Sequence, residues 1–264
     1  MTTNPSFQNY QTYLKIGELL SLQKPLSRAH DETLFIIVHQ VYELWFKCML
    51  HELEHAGDLL SEDQPDRAAS TLKRTLRIVK VLVSQLDVME TMTPLEFVAF
   101  RERLGASSGF QSAQFREIEF ILGYKRPSVL EAYPEGSAER ERLEARIAAP
   151  TLWDEFVGLL ARSGYSIPAS TRGKWMRQPV AADSDVQAAL IRVYRKNPGL
   201  SAFCESLVDL DEGMQEWRYH HLRMVQRTIG SKTGTGGSSG AEYLLTTVLA
   251  GPFFPDLWEV RDRF

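Results

Sequence analysis

The chain has 264 residues, of which 44% are hydrophobic and 24% charged, with a formal net charge of -4; that suffices for one large domain or two small ones around a real core. The acidic balance excludes a general nucleic-acid binder, which carries a clustered basic surplus. No apolar run approaches the roughly 20 residues that span a bilayer, and Met1-Thr2-Thr3-Asn4 lacks the charged-then-apolar layout of a signal peptide. Cys48 and Cys204 stand far apart in helical patterns and suggest neither a disulfide framework nor a cysteine metal site. The expectation is a reduced, cytoplasmic protein with no membrane or nucleic-acid partner.

Helical periodicity dominates and strand signals are nearly absent. An amphipathic stretch, Tyr10 to Leu22, ends before Pro25. A long helix is predicted from about Asp31 to Leu60 and a second from about Asp66 to Glu90. Thr93-Pro94-Leu95-Glu96 is a capping box with proline at the first helical position; it opens a short helix that stops at Gly105. Another helix runs from near Gln111 to Gly123. Ser137 to Arg162 reads as a charged helix followed by a more apolar one, broken at Pro150. A looser region with Pro168, Gly173 and Pro179 follows, then a helix over Val186 to Arg195 and a last long one over about Leu200 to Ile229. A glycine-rich loop, Gly230 to Gly240, precedes Ala241 to Leu249 and a proline-containing tail. The fold class is all-α: a helical bundle forming one domain over 1–264, with about 125–182 a small helical insertion or subdomain.

The histidines separate by helical face. At about 100° per residue, Phe35, Tyr42, Phe46, Met49 and Leu53 share one side of the first long helix, and His39 lies within that apolar side. His221 falls on the stripe of Leu207, Leu210, Met214, Trp217 and Val225, whereas its neighbour His220 points to the polar side. Each inward histidine can be an ordinary core histidine; a bundle can also bring two such helices together around a cofactor. His51-Glu52-Leu53-Glu54-His55 matches the H-E-x-x-H pattern of helical zinc sites. Both of its histidines sit opposite the apolar face, beside Gln40 and Lys47, which favours a solvated helix face over a zinc centre.

Arg101 projects from the same side of its short helix as Phe97, Phe100 and Leu104. It is either a snorkelling or paired arginine or a bidentate clamp for a substrate carboxylate. The loop from Gly230 to Gly240 fails the P-loop and dinucleotide fingerprints. Its small residues permit large backbone changes, as a mobile lid or a flexible linker.

Several blocks together resemble the tryptophan 2,3-dioxygenase family. They are Asp31-Glu32-Thr33-Leu34-Phe35-Ile36-Ile37-Val38-His39-Gln40 with Glu43-Leu44-Trp45, then Ser108-Gly109-Phe110-Gln111-Ser112 with Gln114-Phe115-Arg116. Trp217-Arg218-Tyr219-His220-His221 and the loop Gly234-Thr235-Gly236-Gly237-Ser238-Ser239-Gly240 complete them, in matching order from Tyr10 to the Phe254-Pro255-Asp256-Leu257-Trp258 tail. The resemblance implies a bundle enclosing haem b, with His221 as proximal iron ligand and His39 as the distal histidine that hydrogen-bonds the indole N–H. It implies Phe35 and Phe97 as aromatic walls, Arg101 as carboxylate clamp and Thr235 as a contact to the amino-acid end of the substrate. Tyr10, Tyr13 and Leu14 match residues that complete a neighbour's pocket in a homotetramer. The implied reaction belongs to tryptophan catabolism by the kynurenine pathway: O₂ cleavage of the indole C2–C3 bond of L-tryptophan, or of a close analogue, to N-formylkynurenine. A related haem monooxygenase forming a 2-oxindole is the alternative, and a haem carrier or a zinc hydrolase are the readings from other classes.

Overall fold

A computed structural model describes residues 9–235 and 239–264. Gly236, Gly237 and Ser238 of the glycine-rich loop lie outside the described residues, as does the opening Met1-Thr2-Thr3-Asn4. Among the described residues the regular structure is entirely helical, with no strand. The expected all-α class is therefore observed.

The N-terminal segment differs from the single amphipathic stretch expected over Tyr10 to Leu22. It forms two one-turn helices, α1 (Tyr10–Tyr13) and α2 (Ile16–Leu19), because Lys15 between them takes a left-handed backbone with φ 55°. A non-glycine residue in that region cannot carry a right-handed helix through. The chain then turns onto α3 (Glu32–Ser61). Glu32 holds the turn: its carboxylate accepts the backbone N–H groups of Leu26 and Ser27, both at 2.7 Å, and the Ser27 hydroxyl.

The scaffold is built from α3, α4 (Pro65–Met89) and α10 (Pro198–Ile229), with α4 packed along both of the others. Gly213 lets α10 approach α4 closely, since a Cβ there would meet Leu76 Cδ1 at 2.9 Å. α10 begins two residues before the predicted Leu200. Asn197 accepts the Leu200 N–H at 3.1 Å and Pro198 takes the first helical position, where no N–H is needed. α5 (Pro94–Arg101) starts with the predicted capping box, Thr93 accepting from the Glu96 N–H and Glu96 from the Thr93 N–H. A 3₁₀ turn, Glu102–Leu104, finishes it at Gly105. α6 (Ala113–Ile121) is capped by Ser112. α7 (Ala138–Ala148) and α8 (Leu152–Arg162) break at Pro150, and α9 (Ser184–Lys196), α11 (Ala241–Val248) and α12 (Pro255–Glu259) complete the chain.

By length and composition α3 is apolar enough to cross a membrane, which corrects the expectation that no such run exists. Its Phe46, Met49, Leu53, Ala56, Leu59 and Leu60 are buried inside the bundle. That side of α3 belongs to the protein core, while Ile37 and Leu44 of the same helix are exposed. α8 adds Trp153 and Phe156, which pack with Phe203 and Phe254 in that same core. Burying one such side chain contributes about 1.5–3 kcal/mol. Fully buried Lys125 joins parts of the 125–182 stretch to one another by donating to the carbonyls of Ile147 (3.0 Å), Met176 (2.7 Å) and Ala149. Burial pushes its pKa down to about 8.

Candidate active site

The main cavity lies where α3, α5 and α10 meet, bounded also by α6 and α11. Its apolar walls include Phe35, Val38, Phe46, Met89, Phe97 and Trp217. The helical repeat explains why α3 serves it: Phe35, His39, Tyr42 and Phe46 recur at three- and four-residue steps and so share a face. On α10, Trp217, His221, Met224 and Thr228 do the same. His39 and His221, singled out from opposite ends of the sequence, open onto this one cavity.

The two rings are held differently. His39 Nδ1 lies 2.7 Å from the Phe35 carbonyl oxygen, which can only accept, so Nδ1 carries the proton and Nε2 is left as an acceptor. Phe35 also packs against the His39 ring, at 4.1 Å between centroids. Desolvation lowers the His39 pKa below the usual histidine value, with Glu43 one turn along partly opposing it. The His221 ring is stacked on Trp217, 5.1 Å between centroids and 17° between planes. Neither of its nitrogens has a hydrogen-bond partner among the described residues. Desolvation, helped by the charges of His39 and Arg116, pushes its pKa down to about 4. A neutral imidazole with a free lone pair in an apolar cavity is the donor an axial haem ligand requires. The residues present therefore fit a haem, which His221 would hold.

The remaining expected site residues divide into two groups. Phe97 is buried in the wall, with its ring 5.9 Å from that of Phe35. Arg101 and Thr235 reach the cavity rim. There Arg101 Nη2 donates to the Thr233 carbonyl at 2.5 Å, and the Thr235 hydroxyl donates to the Ser107 carbonyl at 2.5 Å. Gly240 returns the loop with φ 59°, and a Cβ there would lie 2.8 Å from the Lys232 carbonyl oxygen. Tyr10, Tyr13 and Leu14 are outside this group: they are exposed and line no part of their own chain's cavity. His220 also stays off the cavity wall, and His51 and His55 are exposed.

The family model described as tryptophan 2,3-dioxygenase matches residues 2–143 and 174–263. A tryptophan 2,3-dioxygenase of Herpetosiphon aurantiacus is 56% identical over 254 residues, covering 96% of each chain. The chain belongs to the tryptophan 2,3-dioxygenase family. An Anaeromyxobacter relative of the same name is 51% identical over 98% of each chain, and one from Bacillus thuringiensis is 42% identical over 96% of this chain and 92% of its own. The family match passes over 144–173, the stretch that contains α8.

Sequence reasoning gave no role to a second polar group in the family's cavity. Arg116, Glu119 and Arg218 line it, as do Glu43 and Tyr243. Arg116 and Glu119 sit three apart on a helix whose residues are nearly all buried, and that conflict of charge with burial was the available signal. Gln114 Nε2 donates to the Glu43 carboxylate at 2.8 Å and to its backbone carbonyl at 3.0 Å, fixing α6 against α3 beside His39.

Proposed function

We propose that the chain cleaves the indole C2–C3 bond of L-tryptophan with O₂, giving N-formylkynurenine, and that it does so with haem b held by His221. The observation that carries this reading is the pair of neutral histidines on one apolar cavity, one of them with no partner for its ring nitrogens. The names of its relatives are those of dioxygenases, which supports insertion of both oxygen atoms over the single insertion that makes a 2-oxindole.

The bound haem iron supplies the activation of O₂; the chain supplies binding, orientation and dryness. Phe35 and Phe97 wall the flat indole and keep water from it. His39 Nε2 accepts the indole N–H and so fixes which edge of the ring faces the reaction. Arg101 takes the substrate carboxylate through its planar guanidinium, exchanging the Thr233 carbonyl for it, while Thr235 contacts the amino-acid end. Because Arg101 and Thr235 both hold the 230–235 stretch in the resting chain, substrate arrival and rearrangement of that stretch are coupled. Tyr10, Tyr13 and Leu14 are 69%, 69% and 44% exposed. Three such side chains on a short segment suit burial against a neighbouring subunit, in a homotetramer whose sites are shared. The chain acts as one cytoplasmic domain over 1–264, with 125–182 as an insertion joined internally by Lys125.

Absorbance of the purified variants tests the ligand. His221→Ala is expected to lose the Soret band and His220→Ala to keep it, since only the first removes an iron ligand. Equal loss from both, or from neither, refutes the assignment.

A further inference from the structure

Three arginines converge on one carboxylate in the wall of this cavity. Glu119 is fully buried; its Oε2 accepts from Arg116 Nη1 at 2.5 Å and Arg126 Nη2 at 2.7 Å, and its Oε1 from Arg218 Nη2 at 3.4 Å. Arg116 and Arg218 are only 5% and 3% exposed. Guanidinium groups do not deprotonate in proteins, so three positive charges meet on this one carboxylate. Asp211, the next carboxylate felt by Arg218, accepts from the N–H groups of Phe253, Phe254 and the Trp258 indole, neutral donors that leave its charge in place, and Glu43 lines the same cavity.

An ordinary buried ion pair closes its donors; this cluster does not. The Nε of each of the three arginines is buried without an acceptor. Aromatic faces carry part of the charge: Arg116 lies 5.1 Å from the Phe110 centroid, Arg126 4.4 Å from Tyr124 and Arg218 4.5 Å from Phe253. Arg116, Glu119 and Arg218 border the cavity that His221 borders, and Arg218 precedes His221 by one helical turn on α10. Arg126 stands behind them, off the cavity wall.

We infer that the Glu119 cluster tunes the haem site: Glu119 and the arginines paired with it set the fixed, buried charge beside the iron and through it the midpoint potential, the carboxylate lowering it and the guanidinium groups raising it. Buried charge is weakly screened by salt, and the potential of a haem follows the charge and burial around it. The inference rests on the haem reading above. It requires opposite effects from opposite changes. Glu119→Gln preserves shape and the acceptor oxygen for the guanidinium groups but removes one negative charge, so the midpoint potential rises. Arg126→Gln removes one positive charge, so the potential falls. Glu119→Asp keeps the charge and stays with the parent.

The experiment is a spectroelectrochemical titration of the haem-loaded protein and the three variants, with melting followed by circular dichroism. The expected result is a rise, a fall and no shift, in that order. Unmoved potentials in both Gln variants, or shifts of the same sign, overturn the inference; a purely structural cluster lowers melting temperatures in that way without signed shifts. Loss of one partner from a buried ion cluster is strongly destabilising. If Glu119→Gln fails to fold, Arg126→Gln decides alone: a fall supports the inference and no shift overturns it. Unaltered chain that takes up no haem refutes the proposed function instead.

Discussion

Replacing Arg101 with Leu separates substrate recognition from stability. Among the described residues the resting Arg101 guanidinium makes one polar contact, to the Thr233 carbonyl at 2.5 Å, and no carboxylate pairs with it. Its loss therefore strands no buried charge, and the fold should give up no more than the about 0.5–1.5 kcal/mol of a single net hydrogen bond. A charge-assisted contact to a substrate carboxylate is worth about 1.5–3 kcal/mol. That corresponds to a fall in kcat/KM for L-tryptophan of about 10- to 150-fold. The assay is oxygen uptake with L-tryptophan and with tryptamine, which has the indole and amine but no carboxylate. Tryptamine turnover is expected to stay near the parent value. Arg101→Lys should recover little, because an ammonium lacks the planar fork. If both substrates lose the same factor, Arg101 serves the structure and the carboxylate is bound elsewhere.

Three further outcomes follow from the structure. His39→Ala should keep its haem absorbance while kcat/KM for tryptophan falls, and an apoprotein would mean that the two histidines have exchanged roles. In the parent, burial holds the His39 pKa below 6.5, so its acceptor nitrogen is free at neutral pH; tryptophan affinity should be flat from neutral upward and decline only as pH falls through that lowered value. Glu32→Ala should destabilise the chain in a pH-dependent way, because hydrogen bonds from Ser27 and Leu26 depress the Glu32 pKa below 4.5. A depressed carboxylate contributes stability that is present above its unfolded value and lost as pH falls through the folded one. Urea midpoints of parent and variant should therefore differ at pH 7 and converge in acid; a constant gap contradicts the argument.

The long helices are legible because each repeats apolar residues on one face for about seven turns or more. Helix starts carry caps readable as residue types, Thr93 with Pro94 for the short α5 and Asn197 with Pro198 for α10, which starts two residues before the expected Leu200. The convergence of His39 and His221 was readable only as shared inwardness; which helices meet is decided by α4, whose packing along both α3 and α10 no local pattern announces. Lys15 was missed because nothing in its residue type signals a left-handed backbone. The Glu119 cluster joins residues 99 positions apart, and neither periodicity nor spacing carries information over that separation. A charged side chain on a buried helix face costs free energy unless partnered, so Arg116 and Glu119 could have been marked as needing partners but not told which.

The most direct measurement is the mass of the product formed when the haem-loaded protein is given L-tryptophan and ¹⁸O₂. Cleavage by a dioxygenase predicts tryptophan plus two labelled oxygen atoms, with the mass of N-formylkynurenine so labelled. A product carrying a single labelled oxygen contradicts that account and points to the 2-oxindole, and unconsumed tryptophan contradicts the enzyme altogether.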